Sequence, residues 1–545
     1  MLSYLNPLPH LPAYPGPCKV GTREIEIPIS EIQSATKIAN SQITTIKFRL
    51  YYPTTKDATS RQHAYWLPEP QKQWNDAYAD FMGGSSGFTN LLATSALSMW
   101  NYARLPAVKD APLLPSQQKL PVCVFSHGLG GNFNAYSSIC GTLASCGIVC
   151  AAPEHRDGSA PISFIRNSSG QFERSIPYQK HSHAPTKEVL DARDRQLRVR
   201  LWELELIYAA LKSLNDGKQY TNYATIADEQ ENAKWNDLRH SLKDRLNLSP
   251  GKVSWVGHSF GAATITQFVK SIFYHKHLPK SSAMQPLFEC GSESDLVQQL
   301  TPESPVALLD LWTMPLRSET TKWLWERPLP SYHREASISQ SQVSNTVAVI
   351  STEFYKWTDL LNRTRALLSR NPVATVKDFE RRKESKENVP STNNDTRAEN
   401  PIPELSKQTS ESAAPDDTAD ISRSPSPSPS SSAAHSALSS QTSLVPSEHE
   451  PKPASNICEP HLYHVQQSAH LSQSDFGVLF PNLTKYVMKA IEPEKTLQLN
   501  VRAILAVMKG QGLPVHSLMK DAEEDLILTG QAHEPRWVRV PLSAE

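Results

Sequence analysis

No run in this chain approaches the roughly 20 consecutive apolar residues that a membrane span needs. No two cysteines have CxxC spacing: the seven stand at 18, 123, 140, 146, 150, 290 and 458. An odd, unpatterned set argues against a disulfide framework and for a reducing compartment. Neither charge is in excess. Lys and Arg number 55, as do Asp and Glu, so no global field points to nucleic acid or an anionic membrane as partner. Residues Met1 to His10 lack a basic region and an uninterrupted apolar stretch, so no secretory signal is expected. No internal repeat is visible. These absences lead to the expectation of a soluble, cytoplasmic protein.

What is present is unevenly spread. Hydrophobic residues make up 39% of the 545, and prolines number 42, which fits a folded core diluted by an unfolded portion. From about Lys377 to Ser455 the chain turns to Ser, Pro, Glu, Lys, Asn and Thr, with Ser424-Pro-Ser-Pro-Ser-Pro-Ser430 at its centre. Such a stretch buries too little apolar surface to offset its chain entropy, so 377–455 reads as a disordered insertion. Apolar patterning resumes at Tyr463-His464-Val465 and Phe476–Phe480. Residues 1–376 and 456–545 then form one interrupted domain, the latter ending in a helical extension.

Short apolar runs alternate with helical patterns before the insertion. Val122–Ser126, Ile148–Ala152, Val253–Val256, Val306–Leu309 and Val347–Ser351 read as strands covered on both faces. Glu24–Pro28 and Ile46–Tyr52 read as an antiparallel lead-in. Leu190, Leu197, Leu201, Leu204, Tyr208 and Leu211 recur at helical spacing, and Gly217 can end that helix. The alternation predicts an α/β fold: a mostly parallel sheet with helices on both faces.

Chemistry enters at Gly257-His258-Ser259-Phe260-Gly261, set between an apolar run and a helical one. Strand, Gly-x-Ser-x-Gly turn and helix in that order describe a nucleophile elbow, although a plain structural turn has the same composition. A serine hydroxyl also needs a base to take its proton and amides to receive the oxyanion. Asp310 ends the run Val306–Leu309, at a strand's carboxyl end, where sites in open α/β sheets gather. Of the histidines beyond the last core strand, His435 and His449 fall in the insertion. His461, His464, His470, His516 and His533 are left, and pattern alone does not choose among them. His470 stands in a polar loop, the kind of segment that can carry a base over the serine. For the oxyanion, the amides of Phe260 and of Leu129, within the glycine-rich Phe125–Gly131 segment, are the candidate donors.

Five blocks occur in order: Phe125–Gly130, Glu154-His155-Arg156-Asp157 with Ser159-Ala160, Gly257–Gly261, Asp310–Leu316, and His470 with Asp475-Phe476. Together they resemble the platelet-activating factor acetylhydrolase family, in its plasma and type II intracellular branch with fungal-type relatives. The resemblance spans about residues 12 to 490 outside the insertion. It implies an α/β-hydrolase fold and a calcium-independent serine esterase, without metal or cofactor, cleaving short or oxidised sn-2 acyl chains from phospholipids. Carried over, Ser259 is the nucleophile, His470 the base and then acid, and Asp310 the group that orients the imidazole. Leu129 and Phe260 supply the oxyanion amides, and Glu353-Phe354 resembles a further block with a structural role. The chain departs from the family in having Ala262-Ala263 after Gly261, where a second glycine is frequent, and in the insertion between Asp310 and His470.

The family also has a lipid-facing segment comparable to Phe88–Tyr102. Leu91, Leu92, Leu97 and Trp100 there suit a helix lying at a lipid surface, or one packed on the core. Phospholipid, with peripheral lipid contact, is the expected partner; nothing in the sequence bears on oligomeric state. Two other readings stand beside this one: a general short-acyl carboxylesterase, and a non-catalytic scaffold whose Ser/Pro loop recruits partners. His181-Ser182-His183 lacks a second ligand cluster and reads as a loop rather than a metal site.

Overall fold

The computed structural model describes residues 11–34, 36–58, 63–83, 98–279, 285–334, 343–387, 459–518 and 525–543. The lead-in forms as the sequence predicts: β1 (Lys19–Pro28) and β2 (Thr45–Thr54) pair antiparallel, from Lys19 opposite Thr54 to Pro28 opposite Thr45. The short β3 (His63–Tyr65) and β4 (Arg104–Lys109) extend that edge. β5 (Leu120–Ser126) and β6 (Val149–Pro153) follow, and β7 (Ile162–Arg166) with β8 (Phe172–Pro177) makes a separate hairpin. β9 (Leu246–Asn247), β10 (Val253–His258), β11 (Val306–Leu309), β12 (Thr346–Ser351), β13 (His461–Val465) and β14 (Trp537–Arg539) complete the set.

The main sheet runs β14-β13-β12-β11-β10-β5-β6-β2-β1-β4-β3, with β9 added to β5. Every pairing from β6 through β5 and β10 to β13 is parallel. All five strands expected before the insertion lie in this block. β13, which follows the long Ser/Pro stretch, pairs with β12 and so continues the same sheet. The chain builds from β5 to β6 on one side and then returns to β10 on the other. This reversal creates a crevice at the carboxyl ends of the strands, where open α/β sheets bind ligands.

Period-two alternation places successive side chains on opposite faces. Val122, Val124, Leu308, Ala348 and Leu462 join one core with the helices Lys187–Asn215 and Phe260–Phe273. Cys123, Phe125, Leu309, Val349 and Tyr463 join the other with Ser137–Ser145 and Pro493–Gly510. The 29-residue helix Lys187–Asn215 starts where the Thr186 hydroxyl accepts from Val189 N, and Gly217 follows it at φ 83°. The described cysteines are free thiols. Among the described residues no helix is long and apolar enough to cross a membrane.

One boundary shifts. The disordered stretch was expected from Lys377, but a helix spans Pro372–Glu387. Its start explains why: Asn371 accepts from the Ala374 amide at 3.0 Å, and proline at the first helical position is preorganised for the turn. Local capping outweighs the polar composition beyond it. The rest of the expected insertion, 388–455, lies outside the described residues.

Candidate active site

Ser259 links β10 to the helix Phe260–Phe273 at φ 56°, ψ −117°. A non-glycine residue held there stores roughly 1–3 kcal/mol of strain. Its amide donates to Leu309 O at 2.9 Å, which ties the turn to β11. The flanking glycines have steric reasons. A Cβ on Gly261 would sit 2.0 Å from Ser126 O, and one on Gly257 would sit 2.4 Å from Gly261 C. Backbone cannot yield at such distances, so only glycine fits both positions.

Asp310, wholly buried, leaves β11 at φ 41°. Its Oδ1 accepts from Ser351 N at 2.6 Å and its Oδ2 from His470 Nδ1 at 2.9 Å. With Nδ1 donating to a carboxylate, Nε2 is the ring nitrogen left to exchange a proton. Two residues after β12 fix this imidazole. Glu353 Oε2 accepts from the His470 amide at 2.9 Å, and the Phe354 ring stacks on the imidazole at 4.3 Å. The block expected to be structural thus acts on His470. His461 and His464 are engaged elsewhere, with Ser344 N at 3.1 Å and Thr352 Oγ1 at 2.9 Å. The His470 ring lies 4.4 Å from that of His258, the residue before Ser259. Ser259 Oγ itself forms no hydrogen bond with His470 among the described residues; without substrate such contacts are commonly loose.

The loop after β5 passes against the elbow: a Cβ on Gly128 would lie 3.0 Å from Ser259 Cβ. Its amides are mostly spoken for. Gly128 N donates to Tyr136 Oη at 3.1 Å, Gly130 N to Ser159 O at 2.9 Å, and Gly131 N to Gly128 O at 3.1 Å. Among the described residues neither the Leu129 nor the Phe260 amide has an acceptor. Phe260, as the first residue of its helix, has none within the helix either. Two backbone donors in the segments beside the serine therefore have no acceptor among the described residues.

A buried polar cluster holds this loop. Arg200 donates to His127 O at 2.8 Å and to Ser159 Oγ at 2.6 Å, and pairs with Asp157 Oδ2 at 2.7 Å. His155 bridges Ser126 Oγ at 2.9 Å and Glu203 Oε2 at 2.8 Å. Burial pushes the Glu203 carboxyl up to about 8 and draws His127 down to about 3. The sequence reading missed Arg200 and Glu203; their signal was charge set among the apolar positions of a long helix. Asp475, quoted in the block with His470, was given no role. That buried carboxylate accepts from Trp66 Nε1 at 2.9 Å and from the Ser137 and Ser138 amides at 3.0 and 2.9 Å. It anchors the His470 segment onto the helix Ser137–Ser145.

Trp100 requires a correction. It is 2% exposed, packed among Trp66, Tyr78, Phe476 and Phe480, so the aromatic core claims its ring and it does not face lipid. Leu91, Leu92 and Leu97 lie outside the described residues. One group among the described residues has metal-holding geometry, His258, Asp310 and His470, with ligand atoms all within 4.8 Å of one another. Asp310 Oδ2 already accepts from His470 there.

Serine, histidine and aspartate thus follow the parallel strands β10, β13 and β11, with two amides lacking acceptors in the adjoining segments. That layout can carry acyl transfer. Residues 5–325 match the family model described as platelet-activating factor acetylhydrolase, isoform II, and the chain belongs to this family. The matched region contains Ser259 and Asp310; His470 lies beyond it. The chain is 31% identical over 313 residues to a putative phospholipase A2 of Schizosaccharomyces pombe, covering 56% of this chain and 66% of that protein. It is 33% identical over 222 residues to platelet-activating factor acetylhydrolase of Cavia porcellus, covering 40% and 45%. The chain thus spans less than two thirds of either relative's length. A solved ferulic acid esterase from Streptomyces cinnamoneus aligns at 15% identity over 58% of this chain and 72% of that one, with a TM-score of 0.31, too low to support an argument.

Proposed function

We propose that this chain is a serine esterase of α/β-hydrolase fold acting on short acyl esters through an acyl-enzyme. The observation that carries the reading is the Asp310 Oδ2–His470 Nδ1 bond of 2.9 Å, formed beside the strained turn at Ser259. Ser259 Oγ attacks the ester carbonyl while His470 Nε2 takes its proton. Asp310 stabilises the resulting imidazolium, and the Leu129 and Phe260 amides receive the oxyanion. His470 then protonates the leaving alcohol and activates the water that frees Ser259. No step calls on calcium.

Within that class, relatives named as a phospholipase A2 and as platelet-activating factor acetylhydrolases favour a phospholipid substrate, which the family resemblance narrows to short or oxidised sn-2 acyl groups. A general short-acyl carboxylesterase shares every step, since a fold does not fix its substrate. Comparing kcat/KM for an acetyl-phospholipid with that for p-nitrophenyl acetate separates the two; a clear preference for the phospholipid supports the narrower reading, and none supports the broader. Ser259→Ala should abolish both activities, and turnover in that variant would sink the assignment. A non-catalytic scaffold predicts a wild-type protein inert to both esters.

The sequence on either side of 377–455 is read as one domain, because β13 continues the sheet that β12 belongs to. Peripheral lipid contact is proposed for Leu91, Leu92 and Leu97. Among the described residues Tyr102, Tyr486 and Val487 are exposed large apolar or aromatic side chains of the kind such contact uses. Unchanged liposome binding in Leu92→Glu would remove that segment from the proposal.

A further inference from the structure

His258 occupies the variable position of the Gly-x-Ser-x-Gly turn, and nothing in acyl transfer requires histidine there. It is nonetheless buried, and one nitrogen is engaged. Tyr136 Oη lies 2.8 Å from His258 Nδ1 and accepts from Gly128 N at 3.1 Å. A tyrosine hydroxyl has a single hydrogen. The Gly128 amide fills one lone pair, and among the described residues that hydrogen has no acceptor other than Nδ1, so it is directed there. His258 is then protonated at Nε2, which is buried and, short of full bonding geometry, turned toward the His470 backbone. The spacing is tight: a Cβ on Gly128 would meet Ser259 Cβ and Tyr136 Oη at 3.0 Å and His258 Nδ1 at 3.2 Å. A side chain at Gly128 would force these neighbours apart by a few tenths of an ångström.

The chain of bonds has a loop at each end. At one end stands Gly128, whose neighbour Leu129 offers a free amide. At the other, the His258 ring lies 4.4 Å from that of His470. Burial, and then the nearby His470, hold His258 well below the ordinary histidine range.

We propose that Tyr136 and His258 are positioning residues that join the oxyanion loop to the base. Tyr136 fixes the Gly128 peptide, and so the direction of the Leu129 amide. It also locks His258 into the neutral Nε2–H tautomer, so that no second positive charge stands beside the His470 imidazolium as it forms. This rests on the esterase reading above for its kinetic consequence, but not for the tautomer.

The test has two arms. In the first, Tyr136→Phe lowers kcat for p-nitrophenyl acetate about tenfold with KM within about twofold, as expected when a group acting in the transition state is misaimed. His258→Gln, whose amide oxygen can accept from Tyr136, retains most of kcat; His258→Leu falls as Tyr136→Phe does. The double variant Tyr136→Phe/His258→Leu falls no further, because the two act as one unit. A role in stability alone predicts losses that follow the melting temperature and no rescue by glutamine, and that result overturns the proposal. In the second arm, nitrogen-15 spectra of histidine-labelled protein show His258 with a bare Nδ1 and a protonated Nε2 from pH 5 to pH 9. Protonation at Nδ1, or titration in that range, overturns it too. If wild-type protein hydrolyses neither ester, the esterase reading fails while the spectra still decide the tautomer.

Discussion

The ring of Phe354 lies flat against the imidazole of His470, with centroids 4.3 Å apart and planes 6° from parallel. Phe354 is fully buried just after β12, so its ring is a fixed wall rather than a mobile contact. Together with the Glu353 carboxylate on the His470 amide, it holds the imidazole that Asp310 engages. Phe354→Leu keeps most of the apolar volume and removes the flat face. A misplaced base costs mostly in the chemical step, so kcat should fall about tenfold with KM within about twofold. Steady-state kinetics alongside thermal melts checks this; an unchanged kcat would show the stack to be incidental.

Gly261→Ala tests the steric account of the elbow. Its methyl group would lie 2.0 Å from Ser126 O and 2.8 Å from His127 O, both backbone. Overpacking of this kind costs roughly 1–3 kcal/mol, and here it also pushes the oxyanion loop away from the serine. Urea denaturation should show the destabilisation and ester hydrolysis should be lost. A variant with native stability and activity contradicts the packing described.

Glu203 gives a pH-dependent test of the cluster behind the oxyanion loop. Burial raises its carboxyl from the ordinary 4.5 to about 8 in the folded protein. Between those values the folded state holds more protons than the unfolded chain. The stability this contributes is fully present below about pH 4.5 and is lost as pH rises through about 8. Glu203→Gln cannot ionise, so the stability difference between wild type and variant should shift against wild type from pH 5 to pH 9. Denaturant titrations across that range measure it, and a flat difference would mean that Glu203 is ionised when folded.

Much of this was legible in the sequence because it rests on local rules. Apolar runs gave the central strands, since a parallel strand buried on both faces has no alternative composition. The strand–turn–helix at Ser259 was visible because so tight a turn takes glycine on both sides. What escaped notice depends on distance along the chain. Arg200 and Glu203 look like solvent-facing charges until the helix Lys187–Asn215 is laid against the β5 and β6 loops. Tyr136 has meaning only once Gly128 and His258 meet its hydroxyl, and Asp475 only once it reaches the amides of Ser137 and Ser138. For Trp100 helical spacing left a lipid-facing stripe and a core-packed one both open, and the aromatic cluster takes its ring. The helix at Pro372–Glu387 rests on a local cap at Asn371 that the polar composition does not reveal.

The long segment between Glu387 and Glu459 separates the two halves of the Asp310–His470 pair in sequence, not in the sheet. Replacing residues 388–457 by a flexible Gly/Ser linker of about 20 residues should leave kcat/KM within about threefold, because β13 is held by β12 on one side and β14 on the other. Loss of activity with the fold intact would assign the segment a part in the chemistry.

The central claim is that Ser259 is the nucleophile and His470 its base. Reaction of the whole protein with a fluorophosphonate, followed by peptide mass spectrometry, tests it most directly. The account predicts a single adduct on the peptide carrying Ser259, absent in Ser259→Ala and formed far more slowly in His470→Ala. No adduct on wild type, or one that persists in Ser259→Ala, would contradict it.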